Sequence, residues 1–324
     1  MFLVAGISGS KSADMAAVAP PLFPEMRKRG VPLGEMVALL TATGIQTETI
    51  PPSLVLIAIG SVTPVSIQGL FTGGLIPAIF MAIVLIGVVY LRNRRRDVGI
   101  GPRVGWGQAG RLFVVALPAL ALPLLIRTSV VEGVATATEV ATIGVFYAVL
   151  LGFIGRVARL GLYGRDLWRA LVDSASLSGA IMFVIAGVTG MSFSLTQSGF
   201  SRQLAMWSTS VPGGAVGFMA ISMVLFIVLG AVLEGLPAMV LFAPLMFPAA
   251  AALGISEVHY AIVTVFCMGI GLFTPPFGVG YFIACAISNV DPREGVRPLM
   301  VYLGALLAGI IVVALCPFMT TALL

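Results

Sequence analysis

The chain has 324 residues, of which 59% are hydrophobic and 10% charged, where a soluble domain carries roughly 25% charged residues. With a mean hydropathy of +1.10 and no polar stretch long enough to fold apart, the composition excludes a soluble catalytic domain and marks one polytopic membrane domain. The net charge of +5 could suit nucleic acid, but the basic run Arg92–Arg96 directly follows an apolar span, where it anchors topology and lipid headgroups instead.

In chain order, Gly6-Ile7-Ser8-Gly9-Ser10 lacks the charged region and cleavage pattern of a signal peptide. The pattern from Ala13 to Lys28 is helical, and Arg27–Arg29 closes it. A helix after Pro32 is expected to enter the membrane and break at Ile50-Pro51-Pro52, because proline lacks an amide donor and disfavours the α conformation of the residue before it. A second half-helix resumes from Ser53 to Val62. Such a break frees backbone carbonyls on one side and amides on the other, which at membrane depth requires burial or a lined cavity.

The runs Leu75–Leu91, Leu112–Ile126, Val140–Ile154, Leu177–Leu195 and Leu303–Leu315 span the bilayer or nearly so. Thr136-Ala137-Thr138-Glu139 is placed to cap the third of them. Tyr163–Arg169 is expected to be an interfacial helix, and Phe200–Trp207 a surface segment. Gly213–Leu229 and Pro237–Leu253 make a re-entrant hairpin around Gly230-Ala231-Val232-Leu233-Glu234-Gly235, with limbs too short to need the whole bilayer. Val258–Asn289 is a second broken helix, interrupted at Thr274-Pro275-Pro276.

One segment is written twice. Met15-x-x-x-Ala19-Pro20-x-x-Phe23-Pro24, then Gly30, then Pro51-Pro52 recurs without a gap 224 positions later as Met239-x-x-x-Ala243-Pro244-x-x-Phe247-Pro248, Gly254 and Pro275-Pro276. Paired apolar segments interrupted by Gly and Pro point to a secondary transporter with two half-sites. Following the spans puts fifteen of the eighteen Lys and Arg residues on one face, with Arg127 and Arg202 opposite and Lys11 within the apolar region. Basic loops stay cytoplasmic, and the two copies then run inverted. The expected fold is an all-α polytopic membrane protein of inverted repeats, each with a re-entrant hairpin and a Pro-Pro-broken helix. Residues 1–74 hold the first repeat's partial hairpin and broken helix, and residues 75–169 the scaffold helices. Residues 170–324 hold the second repeat, with its hairpin at 213–253, broken helix at 258–289 and a final helix.

Four ionisable residues fall near the tips and breaks: Lys11, Asp14, Glu48 and Glu234. Charge at membrane depth is costly, so each is a functional candidate; Asp14 could equally cap its helix while pairing with Lys11. Their neighbours Ser8, Ser10, Ser12, Thr43, Thr47, Thr49, Ser53 and Thr274 supply oxygens suited to a hard cation, and half-helix amino ends suit an anionic group. Gly6, Gly9, Gly230 and Gly235 permit tight backbone. Met15 and Met239 are expected in the core, Cys267, Cys285 and Cys316 as buried free thiols, and His259 at an interfacial helix start. No Gly-x-x-x-x-Gly-Lys-Ser/Thr phosphate loop is present, and Gly9-Ser10-Lys11-Ser12 lacks its first glycine and strand. Gly-x-Ser-x-Gly, His-Glu-x-x-His and Cys-x-x-Cys are absent, so neither an enzyme nor an ATP-driven pump is indicated. No ring of pore charges marks a channel.

Gly6-Ile7-Ser8-Gly9-Ser10-Lys11-Ser12-Ala13-Asp14, Ile50-Pro51-Pro52-Ser53 and Gly271-Leu272-Phe273-Thr274-Pro275-Pro276-Phe277-Gly278, together with Thr136–Glu139 and Tyr147, resemble the large membrane subunit of TRAP transporters, the tripartite ATP-independent periplasmic carriers. The resemblance implies a sodium-coupled elevator-type importer in the bacterial inner membrane, with no cofactor beyond the coupling sodium ions. It also implies a small helical membrane subunit and a periplasmic binding protein that delivers an organic acid, C4-dicarboxylate-like or another carboxylate. Carried over, Ser8, Gly9, Ser10, Thr47, Thr49 and Pro51 form one sodium site, and Gly230, Glu234, Thr274 and Gly278 the other. Substrate lies between, near Lys11, Asp14, Glu48, Ser53 and Glu234.

Lys11 stands where many members have a small polar residue, and Thr47-Glu48-Thr49 is more polar than usual. Lys11 is therefore expected either to contact a substrate carboxylate or to be neutralised by Glu48. Measured against the second repeat, about fifty residues of the first are missing, if transporter repeats match in extent; a chain truncated in this way is expected not to transport alone. A stand-alone ion-coupled carboxylate carrier and a truncated, non-transporting membrane fragment are the competing readings.

Overall fold

The computed structural model describes Met1 and residues 4–5, 10–94, 105–157 and 164–324. Gly6, Ser8, Gly9, Arg95, Arg96, Arg103 and Arg159 therefore lie outside the described residues. Among the described residues the chain is helical without strands. The order is α1 Lys11–Lys28, α2 Leu33–Gln46, a 3-10 turn Thr47–Thr49, α3 Leu54–Val62, α4 Ile67–Gly73, α5 Leu75–Asn93, α6 Trp106–Val131, α7 Ala137–Val157 and α8 Gly164–Gln197. Then come α9 Phe200–Ser210, α10 Gly214–Val232, α11 Gly235–Ala252, α12 Glu257–Leu272, α13 Val279–Ser288, α14 Pro292–Leu315 and α15 Phe318–Thr321. Among the described residues, seven stretches are long and apolar enough to cross a membrane.

The doubled sequence folds into doubled structure. α1 and α11 both carry internal prolines and both end on a left-handed glycine, Gly30 at φ 76° and Gly254 at φ 72°. Left-handed backbone favours glycine because it has no Cβ. The closing bonds match too: the Gly30 and Val31 amides donate to Arg27 and Met26, and the Gly254 and Ile255 amides donate to Ala251 and Ala250. α2 and α12 follow, each interrupted before a cis Pro-Pro bond, then the half-helices α3 and α13. α4 and α5, divided at Gly74, occupy the register that α14 fills as one helix.

The copies interlock: α1 packs on α13 of the other copy, and α11 on α3. α12 is the buried axis, with every residue from His259 to Leu272 buried. It approaches α10 closely because glycines face it reciprocally. A Cβ on Gly230 would lie 2.3 Å from the Met268 carbonyl oxygen, and one on Gly271 would lie 2.0 Å from that of Ile227. Small residues at such crossings let backbones meet where lipid gives no hydrophobic drive. Tyr260 anchors the core beside Phe218, Phe226 and Phe247, at ring separations of 6.0, 6.4 and 5.1 Å, and donates to Ser222 Oγ at 2.9 Å. α6 and α7 instead present Leu112, Phe113, Val114, Ile143 and Phe146 outward, the pattern of a bilayer-facing surface.

Several details depart from expectation. α2 stops at Gln46, ahead of the prolines, because Thr47–Thr49 tighten into the 3-10 turn. The stretch after Tyr163, itself undescribed, is no separate interfacial helix. It forms the start of the 34-residue α8, since no glycine or proline interrupts residues 165–178. His259 does begin a helix but is buried, bonded to Thr320 Oγ1 at 2.9 Å and the Ala314 carbonyl at 3.1 Å. Cys267 and Cys285 are buried free thiols, whereas Cys316 is exposed beyond the end of α14. α10 and α11 run 19 and 18 residues, about 27–29 Å at 1.5 Å per residue, nearly a full bilayer core. Extended backbone at Leu233 and Glu234 separates them.

Candidate functional site

The first turn of α1, the break after α2, the α10–α11 tip, the break after α12 and a stripe of α8 enclose a cavity of about 400 Å³. Its lining includes Ser10, Lys11, Glu48, Glu234 and Phe273. A larger hollow of about 680 Å³ lies between Glu35, Arg92, Glu294 and Arg297, away from both breaks. The smaller cavity collects the residues that the sequence singles out.

Lys11 and Glu48 form an ion pair in which each residue is only 9% exposed. Lys11 also lies over the Phe273 ring, 5.6 Å from its centroid, within the range of a cation–π contact. Phe273 is held by two glycines: a Cβ on Gly44 would lie 3.1 Å, and one on Gly280 2.6 Å, from ring carbons. Gly235, the first residue of α11, also meets this carboxylate: a Cβ there would sit 2.9 Å from Glu48 Oε1. Glu48 is therefore met by the ammonium of one repeat and the helix amino end of the other, and both favour negative charge. Glu48 Oε2 is buried and accepts no hydrogen bond from any described residue. The paired arrangement with Glu48, and not pairing with Asp14, is what Lys11 adopts.

The remaining candidates divide between the cavity and its supports. Asp14 is fully buried on α1, one turn from Lys11 and outside the lining. Ser10 is the residue before α1, its Oγ 3.3 Å from that of Ser12. Ser53 caps α3 by accepting from the Leu56 amide, which gives it a structural task. Thr47, Thr49 and Thr274 donate their hydroxyls to the carbonyls of Gly44, Gln46 and Ile270 at 2.9, 2.9 and 2.6 Å. Each oxygen keeps its lone pairs for a hard cation. Pro51 opens the cis Pro-Pro bond of the first break, and Gly278 folds so tightly over the second that a Cβ would come within 2.5 Å of the Leu272 carbonyl. Gly230 lies inside α10 against Met268, a helix-packing position. Glu234 stands exposed at the tip. Among the described residues no cluster of three or more His, Cys, Asp or Glu side chains could hold a metal.

Two elements of the cavity escaped the sequence. Phe273 stood in the motif without a role, and Leu177, Ala180, Ile181 and Val184 of α8 form the far wall. Their spacing is that of one helix face; a stripe in an apolar helix carries no sign of what it faces. Outside the cavity the Thr136–Glu139 cap forms as expected, with Glu139 accepting from the Thr136 amide and hydroxyl at 2.8 Å, and Tyr147 donates to the Pro118 carbonyl at 2.9 Å.

Comparison with known proteins gives this geometry a context. The family model described as the DctM component of tripartite ATP-independent periplasmic transporters matches residues 1–319. An uncharacterised protein of Sinorhizobium fredii is 30% identical over 97% of this chain and 75% of its own length. A C4-dicarboxylate TRAP transporter large permease protein of Pseudomonas aeruginosa is 29% identical, over 99% and 74% respectively. A 2,3-diketo-L-gulonate TRAP transporter large permease protein of Escherichia coli is 26% identical, over 97% and 73%.

Proposed function

Because this chain belongs to the DctM component family of tripartite ATP-independent periplasmic transporters, a family of inner-membrane permeases and not of enzymes, we propose that it imports a carboxylate by sodium-coupled alternating access. In this reading a periplasmic binding protein delivers the organic acid, and a small helical membrane subunit accompanies the permease. The observation that carries it is the interlocked pair of breaks and tips around one cavity, since paired half-sites on discontinuous helices are the device of secondary transporters. The hydroxyls of Thr47, Thr49 and Thr274, with Ser10, Pro51 and Gly278 beside them, supply the oxygen-rich backbone suited to sodium. Ser8, Gly9, Gly230 and Glu234 complete the two proposed sodium sites. Lys11, Glu48 and Glu234 line the proposed place of the substrate, while Asp14 and Ser53 stand outside that lining. The relatives act on a diacid and a sugar acid by their names, which supports a carboxylate and leaves its body open.

The test is reconstitution. The chain is placed in liposomes with the small membrane subunit and the binding protein from the same source, the latter charged with the organic acid it carries. Uptake is expected to rise with an inward sodium gradient and to collapse when choline replaces sodium. Uptake indifferent to both sodium and the binding protein would refute the proposal.

A further inference from the structure

The cavity at the two tips is polar at one end only. Lys11 and Glu48 touch as an ion pair, Gly235 meets the same carboxylate, and Glu234 lies within electrostatic reach of Lys11. Ser10 and Ser12 flank Lys11 in the chain, their hydroxyl oxygens 3.3 Å apart. Among the described residues these five are the polar side chains of the lining. The rest of it is apolar, with Leu54 of α3, Leu236 of α11, Ile283 of α13 and the α8 stripe of Leu177, Ile181 and Val184. Hollows in this chain are not apolar by default: around the larger one, four of the eight lining residues are charged.

Bound sodium leaves this division in place. Of the residues proposed above to hold it, Ser10 and Glu234 are the ones in the lining, and both stand at the polar end. A cation there adds to that end and changes nothing on the wall. The wall then decides what body the carried acid can have. A substrate hydroxyl facing Leu177, Ile181, Val184 or Ile283 meets no side chain that can bond to it, and a buried hydroxyl without a partner is penalised. A methylene in the same place is favoured, because its burial removes apolar surface from water. At about 400 Å³ the cavity falls within the range of small-molecule sites, so a body beyond the carboxylate has room.

Resting on the reading of this chain as a carboxylate carrier, we propose that its substrate is an acid with an apolar body, its carboxylate at the polar end with Lys11 and an alkyl or aryl chain along the wall that α3, α8 and α13 form. Lys11 suits this part because an ammonium has three donors and can serve a substrate carboxylate while keeping Glu48. The wall disfavours a polyhydroxylated acid of the same charge, whatever ions share the polar end. Selection therefore rests on the body of the acid and not on its charge.

Two six-carbon monoanions isolate the body: hexanoate and gluconate carry the same charge and differ in the hydroxyls along the chain. Their binding to the full chain in detergent micelles is measured by calorimetry at one fixed sodium concentration, with the heats of protein-free micelles subtracted. Hexanoate is expected to bind about tenfold tighter than gluconate, or more. From butanoate through pentanoate to hexanoate, each methylene should tighten binding about three- to fourfold, the factor its burial supplies. Ile181→Ser should weaken hexanoate about fivefold and leave gluconate unchanged or tighter. Ile181 belongs to neither cluster of buried apolar side chains, so this substitution is not expected to disturb the fold, and the wild-type ranking needs no variant. Gluconate binding as tightly as hexanoate, or an affinity that stays flat along the alkanoate series, overturns the apolar-body reading while leaving the carrier reading intact. Failure of every probe to bind overturns it as well, and the sodium-dependent uptake experiment, run with the acid that the binding protein carries, decides the carrier reading separately.

Discussion

Removing one member of the Lys11–Glu48 pair tests the centre of the site. Both residues are 9% exposed, and the ammonium's other neighbour is the Phe273 ring. Glu48→Gln thus leaves a nearly buried cation with an amide for company, and Lys11→Met leaves a nearly buried carboxylate against the amino end of α11. Losing one partner of a buried pair costs roughly 3–5 kcal/mol, mostly from the uncompensated charge that remains, whereas replacing both by groups of similar volume is close to neutral. The single variants are therefore expected to lose about 3 kcal/mol or more each, and the double variant Lys11→Met with Glu48→Gln about 1 kcal/mol, giving a coupling energy of several kcal/mol in a double-mutant cycle. Reversible unfolding by graded sodium dodecyl sulfate in dodecyl maltoside micelles returns these free energies. Additive losses, with the double variant the least stable of the set, would refute the argument that the pair is an interdependent unit.

Four further substitutions probe the packing and a buried polar cluster. Gly271→Ala places a Cβ 2.0 Å from the Ile227 carbonyl oxygen, which only a shift of the α10–α12 crossing relieves; it should cost about 3 kcal/mol by the same unfolding assay. Gly87→Ala has nothing within 4 Å and serves as the control, with a change of at most about 1 kcal/mol in the stabilising direction from helix propensity. Glu35 is buried, bonds bidentately to Arg92 at 3.1 and 2.7 Å, and accepts from the Tyr302 hydroxyl. Tyr302→Phe removes the hydroxyl's bond to Glu35 and should cost about 1–3 kcal/mol, as for a hydrogen bond to a charged group. Glu35→Ala strands the arginine and should cost more than Tyr302→Phe, an ordering that reversal would contradict.

What was legible in the sequence is what the backbone decides locally. Gly30 and Gly254 hold matching places in the repeat, and the two Pro-Pro pairs interrupt helices by removing amides, so the repeat and its breaks could be read before any contact was known. Lys11, Glu48 and Glu234 could be singled out because charge in apolar sequence is costly, and Lys11–Glu48 was one of two pairings open for that lysine. Tertiary partners were beyond reach. Glu35, Arg92 and Tyr302 meet from three helices far apart in the chain, and nothing in their spacing announces it. His259 looked interfacial because its bonds to Ala314 and Thr320 come from another segment entirely. Phe273 and the α8 stripe were hidden for the same reason: an apolar residue in apolar sequence gives no sign of what it faces.

The asymmetry between the copies carries the last step. Lys11 and Gly235 occupy equivalent places in the 224-residue repeat, each the first residue of its helix, while the counterpart of Glu48 is the apolar Leu272. Strict symmetry would give two like tips facing two like breaks. Here one tip opens on a lysine and the other on a glycine preceded by Glu234, and both meet the carboxylate of the first break. The two contacts differ in strength: a helix amino end stabilises a carboxylate by about 0.3–1 kcal/mol, up to ~2 when partly buried, whereas leaving one partner of a buried ion pair uncompensated costs roughly 3–5 kcal/mol. Glycine at that position lets the second tip rest on the carboxylate without a side chain between them, and the lysine gives the first tip a charge of its own to set against that carboxylate.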